Sequence, residues 1–457
     1  MRTTTVRIAV AAASMLALAG CGNGLSGGGA APASSAANPF SKDVSGTLKS
    51  SGFNPGDEVG KSRGDYAASK LGGVTINLDT TNFDPQKFAA QAAAGQAPDL
   101  IQVDRNVVAT FAAKGLVLPL DQCFALYSVT PNQQYYQSTI DDVTYNGQIY
   151  GVPQFFQPSA LLANKRVMEK AGVTAADLDT SKPDQVVAAA KKMYAANGDK
   201  PTVLGFDPDV PGSASMWFKV FGGQVYNTDG SPTLDNPKNV DALNWMKSVL
   251  DAQGGYAKVK SFKDTMDVFG DKNQYVADQV GVQTWAQWYP NVLSNTADKV
   301  SIEAIPIKGA DGQPMAMAGG TAFAIPKAAK NPSAACAFAI NVTSTDAWLA
   351  AGKARAEKVA KSKSIATGLM TGSPVADQAV REQYVAKSDN ADFAQVIDTY
   401  YSVLPNNVTL GSSPVGQQVN QELNNAVIVA MTGEKTTQQA LADAQTAAMR
   451  AWDQVKK

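Results

Sequence analysis

The chain has 457 residues, 39 basic against 40 acidic side chains for a net charge of −1, 44% hydrophobic content and no histidine. Near-neutral charge without a block of like charges excludes a nucleic-acid-binding face, which needs clustered cations. The lack of histidine rules out Ser-His-Asp and Cys-His catalysis, and with three cysteines in all it leaves no zinc ligand set and implies no cofactor.

The first element is a secretory signal. Arg2 and Arg7 form a basic start, Ile8 to Leu18 is an apolar run, and small residues precede Cys21. The run is too short to span a bilayer, which takes about 20 apolar residues. Leu18-Ala19-Gly20-Cys21 resembles a bacterial lipobox, so Cys21 is the expected lipidation site and new N-terminus, and Gly22 to Ser41 reads as a Gly/Ala/Ser/Pro tether. The mature chain is therefore expected on the outer face of the bacterial cytoplasmic membrane, held by its lipid. After residue 21 no apolar run approaches membrane length.

Downstream, β-type runs alternate with helical ones. Gly46 to Phe53 and Val74 to Leu78 read as strands around a helix at Val59 to Leu71. An Ala-rich helix follows at Pro85 to Ala94, then a strand at Leu100 to Val103 and a helix at Val107 to Lys114. The rhythm returns in helix Pro183 to Asn197, strand Thr202 to Phe206, helix Val240 to Gln253 and strand Val280 to Thr284. Alternation of this kind predicts βαβ units in an α/β fold. The C-terminal part reads as two amphipathic helices, Gln417 to Met431 and Thr437 to Val455. Cys123 and Cys336 either form one disulfide in an oxidising compartment or are two small buried side chains.

Two chemical patterns need weighing. Asn54 to Ser62 ends in Gly60-Lys61-Ser62 like a phosphate-binding loop, but Pro55 occupies the first glycine position and has no N–H to offer. Asp57 and Glu58 add negative charge there, so the segment is a turn and helix start, with acids at the positive helix end. The carboxylate pairs Asp141-Asp142 and Asp99 with Asp104 are the raw material for glycoside hydrolysis, which needs no histidine. Acidic pairs are, however, mostly solvated surface.

Seven short motifs occur in order along the chain. They are Ala97-Pro98-Asp99-Leu100-Ile101-Gln102-Val103-Asp104, the run Phe111 to Asp121, Asp142 to Pro153 with its Tyr145-Asn146-Gly147, and Leu161-Leu162-Ala163-Asn164-Lys165. Gly319-Gly320-Thr321 through Lys327, Met431 to Thr436, and Ala440 to Gln445 complete them. Together, behind a lipobox, they resemble the family 1 extracellular solute-binding proteins of bacterial ABC importers, the group containing maltose-binding protein.

The resemblance implies two lobes, each a mostly parallel sheet flanked by helices, joined by crossing hinge strands. Residues 1–20 are then the signal and 21–45 the lipidated cysteine and tether. Residues 46–153 with about 320–380 form the N-terminal lobe, and 158–316 with about 385–457 the C-terminal lobe. It also implies a monomeric receptor, not an enzyme, that captures a small carbohydrate-like solute by hinge closure and passes it to membrane permease subunits. Gln157 matches a hydroxyl-binding position on the first crossing, beside Phe155. Trp285 matches a sugar-stacking tryptophan, Gly319, Gly320 and Thr321 the return crossing, and Asp104 a hydroxyl-binding carboxylate that could equally cap the following helix. Trp217 and Asp57 complete the candidate contacts. The region where maltose-binding proteins carry a third stacking tryptophan holds Asn420. An exported carbohydrate-active enzyme using a carboxylate pair and a non-transport sensor lipoprotein are the alternatives.

Overall fold

The computed structural model describes residues 38–362, 364–385 and 387–455. The signal segment, Cys21 and most of the expected tether lie outside them. The expected tether runs to residue 45, but Phe40 is already buried in a hydrophobic core and the Ser41 amide donates to Ser333 Oγ at 3.0 Å.

Two five-stranded sheets organise the chain. Their strands are β1 (Gly46–Ser51), β2 (Val74–Asp79), β3 (Leu100–Asp104), β4 (Val152–Pro153), β5 (Ser159–Asn164), β6 (Ala195–Asn197), β7 (Lys200–Asp207), β8 (Val280–Ala286), β9 (Ile302–Ile305) and β10 (Thr321–Ala324). The first sheet runs β2-β1-β3-β10-β4 and the second β9-β5-β8-β7-β6. Both are mixed. The β2-β1-β3 ladder and the β7–β8 pair are parallel, as βαβ alternation demands, while β10 and β5 enter antiparallel because the chain arrives there from the other lobe.

Local chemistry sets the helix starts. Asp57 caps helix Glu58–Ser69 by accepting from the Gly60 amide at 2.7 Å, and Asp84 caps the Pro-initiated helix Pro85–Ala93. In the first lobe, helix Pro332–Val342 is apolar on all sides and buried, and its Cys336 is disulfide-bonded to Cys123 with Cα atoms 5.9 Å apart. Helix Pro374–Tyr384 shares an apolar cluster with helix Thr345–Ala360, through Val380, Ala376 and Trp348. Helix Ala391–Val403 instead belongs to the second lobe: Asp392 and Gln395 accept from the Ile302 and Ala304 amides of β9 at 3.0 and 2.9 Å. Helix Gly416–Thr432 ends on Gly433 in the left-handed conformation and packs both on helix Arg105–Ala113 and on helix Ala214–Val220.

Candidate functional site

A backbone ladder marks the edge of the first lobe where the chain crosses over. The Gln154 amide donates to Thr321 O at 2.9 Å, Gly372 N to Gln154 O at 3.0 Å, and Tyr136 N to Gly372 O at 2.9 Å. The first crossing, 154–158, is thus stitched to the start of β10, where the return crossing 306–320 ends, and to the loop before helix Pro374–Tyr384; the chain passes to the second lobe once more between that helix and helix Ala391–Val403. Gly320 permits the closest approach: its φ is +154°, and a Cβ there would collide with the Phe155 carbonyl and the Arg105 guanidinium.

Three adjoining cavities of about 250, 510 and 390 Å³ lie between the lobes and share Ser215 and Leu410. The first is walled by Asp104, Asn106, Tyr226, Gly319 and Gly320; the second adds Trp285 and Trp288; the third runs toward Asp141 and Lys219. A larger hollow of about 730 Å³ sits within the first lobe, between the outer faces of β1 and β2 and helix Pro85–Ala93. It touches neither crossing nor the second lobe, so lobe motion cannot close over it. We place the site between the lobes.

The floor is locked by Arg105. Its Nε donates to Asp142 at 3.0 Å, Nη2 to Ala318 O at 2.8 Å and Nη1 to Phe155 O, and the side chain is buried. Asp142 also accepts from Thr409; burial pushes its carboxyl up, against the pull of Arg105. Asp104 differs. It stands at the N-cap of helix Arg105–Ala113 without making a side-chain cap bond, leaving its carboxylate at the cavity wall. Crowding raises its pKa, with Arg105 opposing, although the residue still reaches solvent through the cleft.

On the opposite wall Trp285 lies flat on Tyr289, with centroids 3.8 Å apart and planes 15° apart, and its Nε1 donates to Gln283 at 3.1 Å. Its neighbour Thr284 lines the same cavity, and the Thr284 hydroxyl is buried without a hydrogen-bond partner. An aromatic face, an unpaired hydroxyl and a free carboxylate together suit a ligand with both C–H faces and hydroxyls.

The sequence candidates divide. Asp104, Trp285, Gly319 and Gly320 converge on these cavities. Trp217 does not: it is fully buried, 4.5 Å from Trp245, with Nε1 donating to Pro208 O at 3.0 Å. Its helix turns Ser215 and Met216 to the cleft and Trp217 to the core. Phe155 points into the first lobe, edge-on to Trp348 at 5.3 Å and under Arg63 at 5.1 Å. Asp57 is the helix cap described above. Gln157 is half-buried on the crossing and lines none of the three cavities, nor does Thr321, whose buried hydroxyl is unpartnered.

Arg105, Asn106, Ser215 and Tyr226 were not among the sequence candidates; Arg105 alone carried a signal, as a cation directly after Asp104. Asn420, set against the family's third tryptophan, does line the cleft.

The profile of the bacterial extracellular solute-binding proteins matches residues 67–347. The chain belongs to this family. A Brucella abortus (strain 2308) protein described as a binding protein is 25% identical over 245 residues, 51% of this chain and 56% of that one. The arabinooligosaccharide-binding protein of Bacillus subtilis (strain 168) is 24% identical over 242 residues, 53% and 54% of the two chains. The solute-binding chain thus matches about half the length of these curated relatives. Its fold is that of CpMnBP1 with mannobiose bound (TM-score 0.69, 21% identity, 89% of this chain and 100% of that one). The GacH receptor of Streptomyces glaucescens GLA.O is also similar (TM-score 0.67, 18% identity, 90% and 99%).

Proposed function

We propose that this protein is the receptor of an ABC importer that captures a carbohydrate between its lobes and delivers it to membrane permease subunits. It works outside the cytoplasm, anchored through a lipid on Cys21. The reading rests on one observation above the rest: Trp285 lines the interlobe cleft beside the unpartnered Thr284 hydroxyl and across from the uncapped Asp104 carboxylate. Relatives named for arabinooligosaccharides and solved structures holding mannobiose or mannotriose support a sugar as the solute class. We read it as a receptor and not as a hydrolase. Asp99 is engaged by the amides of Lys49, Lys330 and Asn331 at 2.7–2.9 Å and Asp142 by Arg105, so neither candidate pair offers two free carboxylates.

A thermal-shift screen against mono- and oligosaccharides tests the proposal. A binding sugar at 100 times its Kd raises stability by about 2.7 kcal/mol, and the same sugar should be recovered uncleaved. Absence of any shift, or a hydrolysis product, defeats it.

A further inference from the structure

Phe269 is the most exposed large apolar side chain among the described residues, with 69% of its surface in solvent. A single exposed apolar residue is ordinary. This one is not isolated. Its ring lies nearly parallel to Trp288, at 6.2 Å and 15°, and Trp288 meets Trp285 edge-on at 5.7 Å. Trp285 and Trp288 both line the 510 Å³ cavity. Three aromatic rings therefore run in sequence from the interior of the cleft to the surface of the second lobe.

The outermost ring is held in place. Tyr289, on which Trp285 stacks, donates its hydroxyl to Val268 O at 2.9 Å, immediately before Phe269. On the other side, Asp267 accepts from the Gly270 amide at 3.0 Å. One tyrosine thus supports the inner ring and ties down the loop that carries the outer one. A side chain exposed merely for lack of a core needs no such bracing, whereas a preorganised contact for a ligand does.

We propose that Phe269 with Trp288 forms an outer stacking subsite, and that the solute is an oligosaccharide of at least two, and most naturally three, sugar units extending along Trp285, Trp288 and Phe269. This rests on the carbohydrate reading above. The cavity sizes agree: a pocket of roughly 300–1,000 Å³ suits a drug-sized molecule, the 510 Å³ cavity alone falls within that range, and its two neighbours carry the joined space past it. Hydroxyl partners lie toward the interlobe end, at Asp104 and Thr284, while the outer end offers aromatic faces. Stacking faces accept sugar rings of varied hydroxyl pattern, so discrimination belongs to the inner end and chain length to the outer.

The test is titration calorimetry with three length series of one to five units, from arabinan, mannan and maltodextrin, on the parent, Phe269→Ala and Trp288→Ala. The proposal expects affinity in the recognised series to rise through three units. Phe269→Ala should weaken the longer members about tenfold and leave the shortest binder within twofold, with an unchanged melting temperature. If the single unit binds as tightly as the trimer, or Phe269→Ala weakens every length alike, the outer subsite is refuted while the receptor reading stands. If no member of any series binds, the carbohydrate reading itself falls and this proposal falls with it.

Discussion

Trp217 and Trp285 are chemically identical and opposite in consequence, which makes them the most direct test of the site at the residue scale. Trp285→Ala removes the aromatic face from the cleft and should cost about 2–4 kcal/mol, or roughly 30- to 1,000-fold in Kd, with little change in the melting curve of the unliganded protein. Trp217→Ala leaves a void beside Trp245 and Phe206 and should cost about 3–5 kcal/mol of stability, read by urea denaturation. Residue identity did not separate the two in the sequence. A tryptophan looks the same in the sequence whether its helix turns it into the core, as for Trp217, or its strand presents it to the cleft, as for Trp285, and only the packed neighbours decide. Asp377 makes a second prediction. It is fully buried beside the hinge ladder, accepts from Tyr136 OH and the Thr371 amide at 2.7 Å each, and burial holds its carboxyl up at about 7. The folded state therefore binds this proton more tightly than the unfolded chain. The group's contribution is fully present below its ordinary value of 3.8 and is lost as pH rises to about 7. Asp377→Asn should remove up to about 4 kcal/mol of that pH dependence, seen as a parent-minus-variant difference in stability that shrinks as pH rises from 4 to 8. A difference that stays constant with pH contradicts the buried-carboxyl account.

Secondary-structure elements were legible where their pattern is local. The strand–helix–strand order from Gly46 to Ala113 is encoded by alternating runs with caps at Asp57 and Asp84, so each boundary falls within a few residues of its expected place. The strands Ser159–Asn164 and Ile302–Ile305 were not read as such. Their pairing is antiparallel between segments more than a hundred residues apart, with no turn between them to signal it. The sheets are mixed for the same reason. The sequence left the disulfide open as one of two readings, since 213 residues separate Cys123 from Cys336 and a buried cysteine in an apolar helix looks the same bonded or free. Its energetic weight follows from that separation. Closing so long a loop restrains the unfolded chain, so Cys123→Ala with Cys336→Ala should lower stability by about 2–5 kcal/mol. Urea midpoints of the parent with and without reductant, set beside the double variant, check this. Equal midpoints in all three mean that the bridge contributes nothing.

At the scale of the whole molecule, the proposed receptor role makes the architecture a two-state device governed by a few contacts. Beyond the chain passages, the lobes are linked by Thr409 on Asp142, by Arg381 on Asp398 at 2.7 Å, by the Gln287 side chain on Thr367 O and Gly368 O, and by helix Gly416–Thr432, which touches both sides of the cleft. Arg105 fastens the first lobe to the crossings 154–158 and 306–320 through Phe155 O and Ala318 O, so bending in these two must occur beyond those carbonyls, not within the first lobe. A solute that touches Asp104 on one wall and Trp285 on the other favours the closed arrangement by its differential affinity alone, and about 5.5 kcal/mol carries a population from 1:99 to 99:1. Small-angle scattering should therefore record a smaller radius of gyration when the parent is saturated with the oligosaccharide that gives the largest thermal shift. Trp285→Ala at the same sugar concentration should keep the unliganded value, because one wall has lost its contact. Adding sugar to 100 times the variant's own weakened Kd should restore part of the contraction if Asp104 and Thr284 still span the cleft. If the saturated parent scatters identically to the free protein, capture proceeds in a rigid cleft and the hinge mechanism is wrong.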